Sequence, residues 1–242
     1  MAHGAPDDSN VVKQTDVYRT DDLAELAVRL GSPFAYRREG EVFFMDDFEG
    51  GIDAWQATAG DADGHVRASS DGVYMGKTSC EMVSGTGPSD NCKISKYFPH
   101  VIYQKMGLQC SFSIHADLLR LSWQFAEYDG DNVHWVSITY RHDLGTWSYM
   151  NSLEVPTDFI ADLTLYDTPG NAHHIKLVLD LTNWTYIGVY IDSVFYPLTS
   201  QGMPSGVIPG SPFLNVIIVC WGDGANLATA WIDNVVVTMN EV

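Results

Sequence analysis

Positive charge is what this chain most lacks. Its 13 lysines and arginines stand against 31 aspartates and glutamates, a formal net charge of −18. Such a surface repels phosphate backbones and anionic headgroups, which excludes nucleic acid and membrane as partners. No apolar run approaches the roughly 20 residues of a membrane span, and the longest, Phe213 to Trp221, is strand length. The opening MAHGAPDDSN carries neither a basic n-region nor an apolar h-region and does not read as a signal peptide. Cysteine is scarce. Cys80, Cys92, Cys110 and Cys220 form no CxxC or Cys/His zinc spacing. In an unsecreted chain they read as buried free thiols, with Cys80 and Cys92 the only pair close enough in sequence to suggest a bridge. The acceptor pattern Asn183–Trp–Thr185 would not meet the glycosylation machinery in such a chain.

Helix is also nearly absent. Residues 1 to about 19 are polar and unpatterned, an arm without its own core. One helix is expected at about 20–31. Asp21, Asp22 and Glu25 load its first turns with acid, and Leu23, Leu26, Ala27 and Leu30 share one face. Gly31 and Ser32–Pro33 stop it. A face this narrow needs a partner, so Leu23, Leu26 and Leu30 are candidate assembly contacts.

What the chain has in abundance is turns and short β-type segments. Glu49–Gly50–Gly51, Asp71–Gly72, Asp129–Gly130–Asp131, Pro169–Gly170–Asn171 and Pro209–Gly210 punctuate residues 41–242. Between them, Leu121, Trp123 and Phe125 alternate with Ser122, Gln124 and Ala126. Ile175, Leu177 and Leu179 alternate likewise, and Val133–Tyr140, Leu214–Trp221 and Trp231–Met239 are rich in strand formers. The pattern predicts an all-β fold, a two-sheet antiparallel jelly-roll sandwich spanning 41–242, with residues 1–40 as arm and helix.

The opening Met45–Asp–Asp–Phe–Glu–Gly–Gly51 with Trp55, and the closing Trp231–Ile–Asp–Asn–Val–Val–Val237, resemble those of concanavalin-type and carbohydrate-binding jelly rolls. His173–Asp180 and Tyr186–Asp192 resemble the central strand pair of laminin-G-like sheets. The resemblance implies that first and last strands are neighbours, tied by one structural Ca²⁺ held by Asp47, Glu49 and Asp233 with a carbonyl near Gly76–Lys77. Hard carboxylate oxygens suit that ion. The whole chain is also similar to phage and environmental viral proteins, through Tyr18–Ala27, Met45–Glu49 and Asp233–Glu241.

For glycans, Trp147, Tyr149, Tyr140 and Arg141 form a candidate platform within one hairpin, while Trp123 and Trp135 share their strands' apolar parity and belong to the core. For catalysis there is no G-x-S-x-G elbow, H-E-x-x-H helix, P-loop or E-x-D-x-x-E string. Glu127–Tyr–Asp129 has the spacing of paired carboxylates but runs into a turn. His173 and His174 are adjacent and point to opposite faces. These absences point away from an enzyme. The leading functional expectation is a virion decoration protein, at the virion surface or in the cytoplasm before assembly, anchored by its arm to other subunits. A carbohydrate-binding lectin-like module is the alternative, and a glycoside hydrolase-like enzyme comes last.

Overall fold

The computed structural model describes residues 40–60, 63–87, 90–99, 104–222 and 224–241. The arm and its expected helix, with Leu23, Leu26 and Leu30, lie outside the described residues. Two antiparallel sheets form the domain. The first runs β13 (Val194–Pro197), β12 (Thr185–Ile191), β11 (His173–Asp180), β6 (Lys105–Ile114), β16 (Thr229–Met239), β4 (Ser79–Val83) and β3 (His65–Ser69), with β1 (Glu41–Asp46) also on β16. The second runs β10 (Pro156–Ile160), β9 (Thr146–Met150), β8 (Asn132–Arg141), β7 (Leu118–Tyr128), β15 (Phe213–Gly222), β5 (Asn91–Pro99) and β2 (Gln56–Ala59), with β14 (Ser205–Val207) on β8.

The jelly-roll sandwich is therefore present, and its first and last strands are neighbours: Glu41 faces Met239 and Asp46 faces Val235. The strands β11 and β12 form a hairpin. That hairpin lies toward one edge of its sheet rather than at the centre, because β6 and β16 occupy the middle.

Strand alternation sends one residue in two into the space between the sheets. From β7 these are Leu121, Trp123 and Phe125; from β8, Val136, Ile138 and Tyr140; from β15, Val216, Ile218 and Cys220, all essentially buried. The first sheet answers with Phe112, Ile175, Leu177, Val189, Ile232 and Val237. Trp123 is the hinge of this packing. Its ring stacks on Trp147 at 5.7 Å, meets Phe112 edge-on at 4.8 Å, and its Nε1 donates to the Cys110 Sγ at 3.1 Å. Tyr186 carries a polar link across the same gap: its hydroxyl donates to the Met150 carbonyl and accepts from the Ser137 amide. All four cysteines are buried free thiols, and burial pushes the Cys110 thiol up to about 12.

Trp147 has no exposed surface. Trp147→Ala should lower the unfolding free energy by about 3–5 kcal/mol, the usual cost of removing a buried indole. Urea denaturation measures it; a change below about 1 kcal/mol would contradict this packing.

Candidate functional site

The parity that buries Trp123 turns Arg120, Ser122 and Gln124 to the opposite surface of the second sheet. Antiparallel pairing then sets Arg120 opposite Arg141, Ser122 opposite Thr139 and Gln124 opposite Ser137. On the other flank, Trp221 lies beside Arg120, Val219 beside Ser122 and Ile217 beside Gln124, with Lys93 and Ser95 one strand further on. Arg120, Ser122, Gln124, Thr139, Arg141 and Trp221 line a cleft of about 250 Å³. The Ser122 and Thr139 hydroxyls are 2.7 Å apart, and Ser137 approaches Thr139 at 3.3 Å. The Arg120 guanidinium lies over the Trp221 ring at 4.3 Å. Partial burial, and Arg141 next to it, hold Arg120 below the usual arginine value. Arg141 grips Asp143 with two hydrogen bonds, of 3.3 and 2.9 Å.

An aromatic strip continues the same surface along the strands. Tyr128 stacks on Phe213 at 4.1 Å, and Phe213 meets Tyr97 at 5.3 Å. Tyr97 is 47% exposed. From Trp221 to Phe213 the surface extends about 26 Å along β15, at roughly 3.3 Å per residue.

The residues singled out from sequence fall on both sides of the sheet. Trp147, Tyr149 and Tyr140 do not form a platform. They carry the inward parity of β8 and β9, and Tyr149 and Tyr140 spend their hydroxyls on Gln201 and on the Leu165 amide. Of that set Arg141 and, at its largely buried edge, Tyr149 reach the cleft. Trp135 corrects the opposite way: it pairs with Ala126, outward between buried Val136 and its neighbours, and is half-buried. Sequence reasoning passed over Arg120, Gln124 and Trp221, although the alternation of Leu121, Trp123 and Phe125 implied where Arg120 and Gln124 must point. His173 packs near Phe112 on the core side, while His174 faces Tyr74 and Ser111 on the outer side.

Asp47, Glu49 and Asp233 do gather near one loop, but not as an ion cage. At Asp233 the strand β16 changes partner from β4 to β1, and its carboxylate accepts from the amides of Tyr74 (2.9 Å), Met75 (3.1 Å) and Asn234 (2.8 Å). Burial, with Asp47 nearby, still raises the Asp233 carboxyl above its usual range. Glu49 accepts from the Lys77 and Thr78 amides, which hold it below the usual range. A Cβ at Gly76 (φ +83°) would come within 2.3 Å of the Glu49 carboxylate, so glycine is what lets the loop close this tightly. The loop presents amide donors to the Asp233 and Glu49 carboxylates. Among the described residues no group of three or more His, Cys, Asp or Glu could hold a metal ion, so the residues do not fit the calcium expectation.

Glu127 and Asp129 do not straddle the cleft. Glu127 shares the inward parity of Phe125 and is buried opposite His134, whose ring stacks on Trp184 at 3.5 Å. Burial, reinforced by Asp129, pushes Glu127 up to about 8. Asp129 instead closes the β7–β8 hairpin by accepting the Asn132 and Asp131 amides, which lower its own value.

Fold and face together define a concanavalin-like β-jelly-roll sandwich. No known protein family and no curated protein matches the sequence. Among solved structures, the chain is similar to an endo-β-1,4-glucuronan lyase from the fungus Trichoderma reesei at 14% identity and TM-score 0.52, covering 82% of this chain and 95% of that one. It is similar to the potassium-bound carbohydrate recognition domain of Emp46p at 12% identity and TM-score 0.51, covering 83% and 94%. A sialidase matches at 14% identity and TM-score 0.54 over 83% of this chain. The chain spans about a fifth, 19%, of the sialidase's length. At these identities the likeness is one of fold. It corrects one expectation from sequence, that the chain is not an enzyme: a lyase and a sialidase share this architecture, and the fold is consistent with an enzyme.

The buried Glu127 makes stability pH-dependent. The folded state keeps its proton up to about pH 8, while the unfolded chain releases it near the ordinary glutamate value. Stability therefore falls as pH rises through that window and levels off above it. Glu127→Gln should remove the slope that Glu127 causes, leave the melting temperature unchanged near pH 4, and raise stability at pH 9 by up to about 5 kcal/mol. Parallel slopes for both proteins in thermal melts from pH 4 to 9 would contradict a protonated Glu127.

Proposed function

We propose that the chain binds carbohydrate on the outer face of the second sheet. The observation that carries this reading is a polar cleft continued, on the same surface, by an aromatic strip of exposed Tyr97 and half-buried Phe213 and Tyr128. Sugars present hydroxyls that need fixed donors and acceptors, and C–H faces that pack on rings. Gln124, Ser122, Ser137 and Thr139 supply the first. Tyr97, Phe213 and Tyr128 supply the second. The roughly 26 Å run of surface suits an extended chain of sugars rather than a single one. A likeness to a carbohydrate recognition domain is in keeping with this, though at 12% identity it speaks for the fold and not the ligand.

The virion reading finds no comparable support. Its anchor, residues 1–39 with Leu23, Leu26 and Leu30, lies outside the described residues, and no solved structure named above is a virion component. Subunit partners therefore drop behind glycans.

Titration of the full chain with a panel of soluble polysaccharides should detect binding. Gln124→Ala and Tyr97→Ala should each weaken it about five- to tenfold, the range of one lost hydrogen bond or one lost ring contact. Both positions are on the surface, so the melting temperature should hold within about 2 °C. Binding that survives both substitutions at full strength would move the site off this face.

A further inference from the structure

The face that carries the cleft is cationic in a protein that is acidic nearly everywhere else. The described cations are few: Arg67, Lys77, Lys93, Lys96, Lys105, Arg120, Arg141 and Lys176. Arg67 is bound to Glu81, and Lys176 is buried against Glu241. Three others, Lys93, Arg120 and Arg141, stand on the outer face of the second sheet.

Their arrangement there costs stability. Arg120 and Arg141 are direct cross-strand neighbours, and like charges in that relation repel. A chain carrying 31 acidic residues would find it simple to place a carboxylate between them. Instead, among the described residues, Arg141 pairs with Asp143, at the rim, and no ion pair joins Arg120 to a carboxylate. Arg120 is exposed, and its plane is laid on the Trp221 ring at 4.3 Å. Stacking holds a guanidinium in place while leaving its N–H edges free to donate in a fixed fork. Among the described residues the acids near these rows are Asp143 at the rim and Asp158, exposed on the edge strand β10 and paired with Ser148. The two hydrogen bonds from Arg141 to the Asp143 carboxylate show the geometry an external carboxylate or sulfate would adopt on Arg120.

We propose that the glycan taken by this cleft is anionic, with a uronate carboxylate or a sulfate ester held by Arg120 and Arg141. The Thr139 hydroxyl, one residue pair further along and held at 2.7 Å by the buried Ser122, receives the neighbouring sugar's hydroxyl. Lys93, about two strand spacings or roughly 10 Å across the sheet, sets a second anionic contact for the same chain. Net charge works against loose binding of any polyanion, so recognition depends on this pair and not on a diffuse basic patch. The inference rests on the reading of the face as a glycan site.

The test uses the full chain with polygalacturonate and alginate, each beside its carboxyl-reduced form, and chondroitin sulfate beside its desulfated form. Titration calorimetry at low and at 0.5 M salt reads the affinities. The expected result is at least one acidic polymer bound tenfold or more tightly than its neutralised partner, an advantage that shrinks at high salt. Arg120→Gln, and separately Arg141→Gln, should each cut the ratio of acidic to neutral affinity from tenfold or more to about twofold or less, whatever either change does to the neutral polymer alone. Which pair shows the difference separates carboxylate from sulfate. Equal affinity for charged and neutralised polymers, unaffected by either substitution, would overturn the anionic assignment and leave glycan binding standing. A DNA oligonucleotide bound as tightly as the acidic polymers would overturn it as well, since the pair would then be a general anion sink. Failure of every polymer, charged or neutral, would overturn both readings.

Discussion

The register between β7 and β8 governs both halves of this molecule. Arg120 to Arg141, Ser122 to Thr139, Gln124 to Ser137 on one side are the same pairing as Leu121 to Tyr140, Trp123 to Ile138, Phe125 to Val136 on the other. A slip of one residue would carry the Trp123 ring into water and two guanidinium groups into the core. The stacked pair of Trp123 and Trp147, locked to Phe112 across the gap, makes that slip costly. Core packing and the composition of the cleft are thus one constraint seen from opposite faces.

The two outer faces of the sandwich have been put to different use. On the first sheet the outer surface is closed down. Lys176 and Glu241 form an ion pair at 2.8 Å with both side chains almost wholly buried, while Gln109, Ser111 and Thr238 beside them are also shut away from water. Breaking such a pair from one side costs several kcal/mol, because it strands a charge. On the second sheet Ser122, Ser137 and Ser148 are buried as well, but Arg120 stays exposed and Gln124, Thr139, Arg141 and Trp221 half-buried around the cleft. A carboxylate-capped loop holds the junction where β16 changes partner, through Asp233 and Glu49 on the amides of residues 74, 75, 77 and 78. That loop bridges to the opening and closing segments through these amide hydrogen bonds.

Much of the fold was legible in the sequence. Turn residues at short intervals and two-residue alternation in Leu121–Phe125 and Ile175–Leu179 are local signals, and the structure follows them. The pairing of first and last strands was reached only through resemblance, since it depends on contacts some 190 positions apart. The candidate site was less legible. Trp147 and Tyr149 alternate with Thr146, Ser148 and Met150, and nothing within five residues says which set faces the partner sheet. The answer comes from the cross-strand neighbours Tyr140 and Ile138, which are buried. Trp135 misled for the reverse reason: an apolar residue on an apolar strand took the outward parity, against Ala126. Arg120 and Trp221 meet only when β7 and β15 are laid side by side, which no stretch of sequence displays. For Asp47, Glu49 and Asp233, whether carboxylate oxygens receive a cation or amide protons depends on how the 74–78 loop is threaded, which the sequence does not display.

The most direct measurement of the central claim is amide chemical-shift mapping of the folded chain during titration with an oligosaccharide from the tightest-binding polymer. Binding at the cleft should move the resonances of Arg120, Ser122, Gln124, Thr139, Arg141 and Trp221 together, with one saturation curve, and leave those of β11 and β12 in place. Shifts clustered instead on the first sheet, or on the loops at either end of the sandwich, would contradict a glycan site on the outer face of β7, β8 and β15.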